Sequence, residues 1–67
     1  MKIFADRLKE LRIEKGLSQR QLATETKLSQ ASIAKWELDQ RSPIAEYVVI
    51  LSSYFGVSSD YLLGLED

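Results

Sequence analysis

A chain of 67 residues is long enough for one small domain with a modest apolar core. It contains no cysteine and no histidine, which excludes disulfide bonds, thiolate metal sites and catalysis by imidazole. The net charge of −1, taken over the whole chain, argues against a nucleic-acid partner.

This charge is unevenly distributed along the chain. Residues 15–41 carry a net charge of +2, whereas residues 42–67 carry −4 and contain no basic residue. This uneven charge distribution permits a local basic face in the middle of the chain. The first residues, MKIFADRLKELR, are charged and amphipathic, so they predict neither a signal peptide nor a membrane span. A soluble cytoplasmic protein without a membrane partner is expected.

The first predicted element is an amphipathic helix from about residue 2 to residue 15. Its apolar residues recur at i, i+4 and i+7: Phe4, Leu8 and Leu11. Gly16 is placed to end this helix in the left-handed conformation, and Leu17 follows as the apolar residue that packs back onto it. The other two glycines are followed by apolar residues in the same way, and they predict two further helix ends.

Residues 17–37 contain two short helical patterns, each opened by a Ser-Gln pair. Ser18 is predicted to cap the second helix, and Gln21, three residues later, completes a Ser-x-x-Gln capping box. Ser29 is predicted to cap the third helix. Two short helices joined by a tight turn have the form of a helix-turn-helix.

The fourth helix is predicted to begin at Ser42-Pro43, because proline is favoured at the first helical position, and to end near Phe55. Its predicted inward-facing residues are Ile44, Val48, Leu51 and Phe55. A short fifth helix is predicted from Ser58 to Leu63. Strand patterns are absent, so the predicted fold is all-α, a compact bundle of five helices in which residues 1–67 form a single domain.

At this spacing the residues resemble the lambda-repressor-like, Cro/C1-type helix-turn-helix family, also called the XRE family. The matching residues are Leu17-Ser18-Gln19, Leu22-Ala23, Leu28-Ser29, Ile33, Trp36-Glu37, Pro43, Leu51, Val57-Ser58, Asp60 and Leu62-Leu63-Gly64. The resemblance covers nearly the whole chain. It implies a five-helix lambda-repressor-like bundle whose second and third helices form the helix-turn-helix, with the third as the recognition helix. Lys27 and Asp39 stand where the family usually has glycine.

The outward face of the third helix is the candidate base-reading surface. Ile33 and Trp36, three residues apart, should face the core, and this turns four residues outward: Gln30, Ala31, Ser32 and Lys35. Glutamine can pair with adenine, lysine can donate to guanine, and an alanine methyl can contact the methyl of thymine. An ordinary solvated helix face would show the same residues, and the family resemblance favours base contacts.

Contacts to the DNA backbone are expected beside this surface. Gln19 resembles the family residue that contacts phosphate and steadies the start of the recognition helix. The remaining candidates for phosphate contact are Ser29, Lys15, Gln40 and Arg41. For the last three a solvated surface role is the alternative.

Arg12 and Glu37 resemble a pair that forms a salt bridge in related repressors, where it ties the first helix to the end of the third. The role that the resemblance implies for this pair is structural.

The fourth helix carries more apolar surface than one inward stripe requires. Covering by the first and fifth helices would explain it, and a self-association surface is the interpretation that we favour. The resemblance implies dimers formed near the fifth helix, and DNA half-sites one turn apart call for two-fold symmetry. The candidate dimer surface consists of Tyr47, Ile50, Tyr54, Leu63 and Leu65.

The sequence therefore predicts a transcriptional regulator that binds a double-stranded DNA operator sequence-specifically, as a homodimer and as a repressor of phage, plasmid or bacterial type. No cofactor, metal ion or small-molecule ligand is expected. A protein-interaction module on the same fold, such as an antitoxin or a regulatory adaptor, is the alternative. An enzyme is not expected, because the acidic residues are scattered over helix surfaces and no histidine or cysteine is available.

Overall fold

The computed structural model describes residues 2–67 as five α-helices. The helices are α1 (Lys2–Glu14), α2 (Gln19–Thr26), α3 (Gln30–Glu37), α4 (Ala45–Phe55) and α5 (Ser59–Leu63). Helix α1 packs against α3 and α5, α2 packs against α3 and α4, and α4 packs against α5. Because the described residues contain no strand, the predicted all-α bundle of five helices is confirmed.

All five helices contribute to one apolar core. Its buried residues are Phe4, Leu8, Leu22, Ile33, Trp36, Val48, Leu51 and Leu62. The ring of Trp36 lies 6.3 Å from that of Phe4 in an edge-on arrangement and 5.5 Å from that of Tyr47. Edge-on aromatic pairs add to the stabilisation that burial provides. The predicted inward orientation of Ile33 and Trp36 is therefore confirmed.

Serine caps fix the starts of three helices. Ser18 Oγ accepts from the Gln21 backbone N–H at 3.0 Å, and Gln21 Oε1 accepts from the Ser18 backbone N–H at 2.8 Å. This reciprocal pair is the predicted capping box. Ser29 caps α3 and Ser58 caps α5 through the same type of bond from hydroxyl to backbone.

The start of α4 differs from the prediction. The helix begins at Ala45, and Ile44 is its N-cap, so Pro43 does not occupy the first helical position. Pro43 instead lines an apolar surface cavity together with Val48 and Leu63. This proline thus lies two residues before the helix and not at the first helical position that its local preference predicts.

The inward-facing residues of α4 differ accordingly. Ile44 lies before the helix and is 58% exposed, so its predicted place in the core is wrong. The buried residues of α4 are Val48, Leu51 and Ser52, and Phe55 is half-buried against the core. Ser52 is satisfied by the Val49 carbonyl at 3.0 Å and by the Ser59 hydroxyl at 3.1 Å, which links α4 to α5.

Two non-glycine residues adopt the left-handed backbone conformation, at positions where the family usually has glycine. Lys27, in the turn between α2 and α3, has φ 61°, and Asp39, after α3, has φ 59°. The turn is closed by the Leu28 N–H, which donates to the Ala23 carbonyl at 3.2 Å. A side chain in this conformation costs roughly 1 kcal/mol relative to glycine. The turn between the two helices is therefore mildly strained at Lys27.

Candidate nucleic-acid interface

Helices α2 and α3 share one buried side and one solvent-exposed side. Leu22 of α2 and Ile33 of α3 are fully buried in the common core. Because the side chains of a helix divide between opposite faces, polar residues such as Arg20 of α2 and Gln30 and Lys35 of α3 lie on the exposed side. The two short helices and their three-residue connection form a helix-turn-helix.

Helix α3 presents the four predicted base-contact residues on its outer side. Gln30, Ala31 and Lys35 are exposed, and Ser32 is half-buried. The Ser29 hydroxyl accepts from the Ser32 N–H at 3.2 Å, so the first turn of α3 is ordered by its own cap. The Ser29 hydroxyl proton is left to donate to a further acceptor.

Arg41 lies beside this helix, although it follows α3 in the sequence. Its Nη1 donates to the Ser32 hydroxyl at 3.2 Å. Lys35 is three residues after Ser32 and therefore occupies the same side of the helix. The structure thus brings Arg41, a residue predicted to contact phosphate, next to the residues of α3 that are predicted to contact bases, and the sequence offered no signal for this contact. Gln40, next to Arg41, is also exposed.

A nearly buried ion pair joins α1 to α3. Arg12 Nε donates to Glu37 Oε2 at 2.7 Å, and Arg12 Nη2 donates to Glu37 Oε1 at 2.9 Å. The side chain of Glu37 is 3% exposed and that of Arg12 is 12% exposed. The hydrogen bond to Glu37 raises the pKa of Arg12, and it does so more strongly than burial lowers it. The predicted pair is therefore present, and its geometry is the bidentate one that arginine forms with carboxylates.

The same ion pair extends to the start of α2. Arg12 Nη1 donates to the Leu17 carbonyl at 2.7 Å. Gln19, the first residue of α2, donates from Nε2 to Glu37 Oε1 at 3.1 Å. Gln19 is half-buried by this contact and is not a freely solvated side chain. The sequence had indicated the Arg12–Glu37 pair but not its link to Gln19.

Lys15 lies against α4. Its Nζ is 5.1 Å from the centroid of the Tyr54 ring, and the Tyr54 hydroxyl donates to Glu25. The hydrogen bond to Glu25 raises the pKa of Tyr54, with smaller contributions from desolvation and from the charge of Glu25. The cluster joins the ends of α1, α2 and α4, so the contact that the structure gives Lys15 is an internal one.

The comparison with known protein families concerns most of the chain. Residues 8–62 match the family model described as helix-turn-helix. The chain belongs to the lambda-repressor-like, Cro/C1-type helix-turn-helix (XRE) family. This match includes the caps of α2 and α3, the buried Ile33 and Trp36, and the Arg12–Glu37 pair.

Relatives of this XRE-family chain are named as regulators. The transcriptional activator BcrR of Enterococcus faecalis is 38% identical over 64 residues, which cover 96% of this chain and 31% of BcrR. The transcriptional regulator ImmR of Bacillus subtilis is 34% identical over 61 residues, which cover 91% of this chain and 48% of ImmR. The chain therefore spans about a third to a half of the length of these two relatives.

A solved structure matches along nearly its full length. The crystal structure of the restriction-modification controller protein C.AhdI of Aeromonas hydrophila is similar with a TM-score of 0.82 and 31% identity, covering 91% of this chain and 92% of that one. BcrR, ImmR and C.AhdI are named as regulators or controllers. Their names agree with the expectation that this XRE-family chain is not an enzyme.

An apolar surface lies around Leu63. One cavity of about 290 Å³ lies between Pro43, Val49 and Leu63, and a second of about 350 Å³ lies between Ile3 and Leu63. Val49 is 56% exposed and Ile3 is 50% exposed. The sequence did not indicate Ile3 as part of this surface, because Ile3 directly precedes Phe4 of the buried apolar stripe of α1.

The candidate dimer residues differ in their surroundings. Tyr47 packs on Trp36, and Tyr54 bonds to Glu25, so both tyrosines have partners within the chain. Two further residues, Ile50 and Leu63, are half-buried. Leu65 is 72% exposed. Leu63 packs against the core, as the two tyrosines do, and Leu65 is the most exposed residue of the set.

Among residues 2–67, no cluster of three or more acidic side chains is arranged to hold a metal ion. None of the helices in the described part of the chain has the length and apolar character needed to cross a membrane.

Replacing Arg12 with alanine should strongly destabilise the domain. Glu37 would remain as a nearly buried carboxylate without its bidentate partner, and we expect a loss of about 3 kcal/mol in the free energy of unfolding. Urea denaturation measures the loss. The control is Lys2→Ala, which breaks the exposed Lys2–Asp6 pair on the same helix and should cost about 0.5 kcal/mol or less. A loss below about 1 kcal/mol for Arg12→Ala would mean that the pair contributes little.

Proposed function

We propose that this chain is a single helix-turn-helix domain of a cytoplasmic transcriptional regulator and that it binds double-stranded DNA sequence-specifically. In this proposal α3 lies in the major groove, and the protein represses transcription by occupying an operator. The observation that carries the proposal is the two-sidedness of α3. Ile33 and Trp36 are buried, and the exposed side carries Gln30, Ala31 and Lys35.

The side chains on the outer side of α3 have complementary chemistry for base edges. Gln30, in the first turn, is proposed to pair with an adenine, and Lys35, one turn later, to donate to guanine O6 or N7. The methyl of Ala31 is suited to the methyl of thymine. Ser32 accepts from Arg41, so its own hydroxyl proton is available for an acceptor on a base.

Residues around α3 are proposed to contact the DNA backbone. Gln19 and Ser29 lie at the starts of α2 and α3, where free backbone N–H groups and the helix dipole favour a phosphate. Gln40 and Arg41 follow the end of α3 and are exposed. Lys15 would have to leave the Tyr54 ring to reach a phosphate, so we assign it a smaller contribution than Arg41.

The charge distribution supports one orientation on the DNA. The segment after Arg41 has a net charge of −4 and includes all of α4 and α5. A duplex is repelled from this side, whereas the segment that contains α2 and α3 has a net charge of +2. The net charge of −1 is therefore compatible with DNA binding through the α2–α3 side.

The names of the relatives support a regulatory function. BcrR is named as an activator, ImmR as a regulator and C.AhdI as a controller protein. All three names describe control of other genes or systems, and one describes activation. We propose repression as the mode of regulation. A small domain can repress by occupying an operator, whereas activation would need an additional surface that contacts the transcription machinery.

A homodimer is proposed as the binding form. Two copies related by a two-fold axis would place two α3 helices on half-sites one DNA turn apart. The apolar cavities around Leu63, together with the exposed Val49 and Leu65, support self-association through this surface. Tyr47 packs on Trp36 and Tyr54 donates to Glu25, so we propose Leu65, the most exposed residue of the candidate set, as the main contact, with Leu63 and Ile50 beside it.

The same apolar surface supports the alternative function. A protein-interaction module, such as an antitoxin or an adaptor, would use the apolar cavities and the acidic segment 42–67 to bind another protein. This function needs no polar readout on α3. The alternatives therefore differ in whether substitutions on α3 or on the Leu63 surface abolish the activity.

Binding to DNA should depend on the outer side of α3 and on salt. Duplexes selected from a random library by the wild-type protein provide the site for fluorescence-anisotropy titrations. About four neutralised phosphates per dimer predict an affinity that falls roughly 100-fold between 50 and 200 mM salt. Gln30→Ala and Lys35→Ala should each weaken binding about tenfold and relax the preference at one base pair.

Lys9→Ala is the matched control, because it removes a positive charge from the exposed surface of α1. It should change the affinity far less than Lys35→Ala. Undetectable or salt-independent binding by the wild-type protein would contradict the proposal. Intact binding of a protein partner by the Gln30→Ala/Lys35→Ala double variant, together with no DNA binding by either protein, would favour the interaction module.

Self-association should be visible by sedimentation. The wild-type chain is expected to sediment as a concentration-dependent dimer at micromolar concentrations, and Leu65→Glu should shift the equilibrium towards the monomer because it places a charge in an apolar contact. Ile13→Glu is a control at a different exposed isoleucine, on α1. A wild-type monomer at high micromolar concentration, with and without operator DNA, is incompatible with the dimer.

A further inference from the structure

We propose that Glu37 is a positioning residue for the backbone contact of Gln19, and that Arg12 neutralises Glu37 so that it can act next to a phosphate. The inference rests on the proposed DNA binding and deepens it. It assigns a binding role to an ion pair that would otherwise serve only to hold the helices together.

The hydrogen bond to Glu37 fixes the orientation of the Gln19 amide. Glu37 Oε1 lies 3.1 Å from Gln19 Nε2, and an ionised carboxylate only accepts hydrogen bonds. The amide must therefore turn its NH₂ group towards Glu37. One N–H is used there, and the second N–H remains to donate to a phosphate oxygen. Without Glu37 the amide could equally turn its oxygen outward, which a phosphate would repel.

The same hydrogen bond orders the Gln19 side chain before DNA binds. A glutamine side chain at a helix start has several rotamers, and fixing one of them on binding opposes the affinity. The contact with Glu37 fixes the side chain of Gln19 in the free protein, where it is already half-buried. The cost of ordering is thus met during folding, and the DNA meets a preorganised donor.

Arg12 neutralises the negative charge of Glu37. A bare carboxylate beside a phosphate would oppose DNA binding. Glu37 is 3% exposed and is held by Arg12 through two hydrogen bonds of 2.7 and 2.9 Å. The pair is neutral as a whole, so the phosphate near Gln19 is not repelled by an uncompensated negative charge. Arg12 also fixes the turn before α2 through the Leu17 carbonyl.

Glu37 also fixes the spacing between the proposed phosphate contact of Gln19 and the proposed base contacts of α3. Glu37 is the last residue of α3, and Gln19 is the first residue of α2. Their hydrogen bond sets the start of α2, which holds a phosphate contact, relative to the recognition helix, which holds the base contacts. Phosphate contacts fix the register of a protein on DNA. Glu37 therefore links the register to the base readout.

The test is a double-mutant cycle on DNA affinity with Gln19→Ala, Glu37→Gln and their combination, at a temperature where circular dichroism reports all proteins as folded. The duplex is one selected by the wild-type protein. Gln19→Ala should weaken binding about tenfold, the effect of losing a hydrogen bond to a charged group. Glu37→Gln should weaken it about fivefold, and the double variant should match Gln19→Ala within about twofold.

The sign of the Glu37→Gln effect is informative. The substitution removes a negative charge, so long-range electrostatics alone predicts tighter DNA binding. Asp6→Asn, in the exposed pair with Lys2, is the control with the same change of charge and should leave the affinity unchanged or slightly raised. If Glu37→Gln does not fold, Glu37→Asp keeps the charge but shortens the reach to Gln19, and it should give the same non-additivity.

A phosphate-specific readout separates positioning from a general loss of structure. Replacing single phosphates by uncharged methylphosphonates should reveal one position per half-site at which wild-type affinity falls and Gln19→Ala is insensitive. Glu37→Gln or Glu37→Asp should also lose sensitivity there. The inference is overturned if a Glu37 substitution weakens binding by the same factor with and without Gln19, or if Glu37→Gln tightens binding. Absence of wild-type binding to any selected duplex would instead overturn the proposed function.

Discussion

The nearly buried pair of Arg12 and Glu37 is the interaction on which the arrangement of the domain depends. It joins the end of α1 to the end of α3, and its hydrogen bonds to the Leu17 carbonyl and to Gln19 add the turn before α2 and the start of α2. Four parts of the chain thus meet at one carboxylate and one guanidinium. A nearly buried ion pair is weak as a source of net stability, but losing one partner is costly. The pair therefore enforces one relative placement of α2 and α3.

The apolar core and the polar surface follow from that placement. Ile33 and Trp36 are buried on one side of α3. The other side carries short or polar residues, which suit the major groove in which we propose that α3 lies. The segment after Arg41 has a net charge of −4, and the apolar cavities lie around Leu63. A small domain with a net charge of −1 can in this way separate a side for DNA from a side for a second copy, which is the division of surfaces that we propose.

Most of the fold was predictable because its signals are local. Ser18 with Gln21, Ser29 and Ser58 mark helix starts through bonds that span three residues, and the periodic spacing of apolar residues marked the buried side of α3. The start of α4 was mispredicted because the preference of proline for the first helical position is a local rule, and here the helix begins two residues after Pro43. The links from Gln19 to Glu37 and from Arg41 to Ser32 were not predictable, because each joins residues brought together only by packing or by a loop. The roles of the site residues in DNA binding stay predictions.

We propose that the α2–α3 side of this domain is its DNA-binding surface. NMR titration of the ¹⁵N-labelled chain with a selected duplex is the decisive test, because it reports on the backbone amides of every helix. The largest shift changes are expected in residues 29–35 and at the start of α2, with small changes across α5. Changes concentrated in α5 and around Leu63, with α3 unaffected, would contradict this proposal.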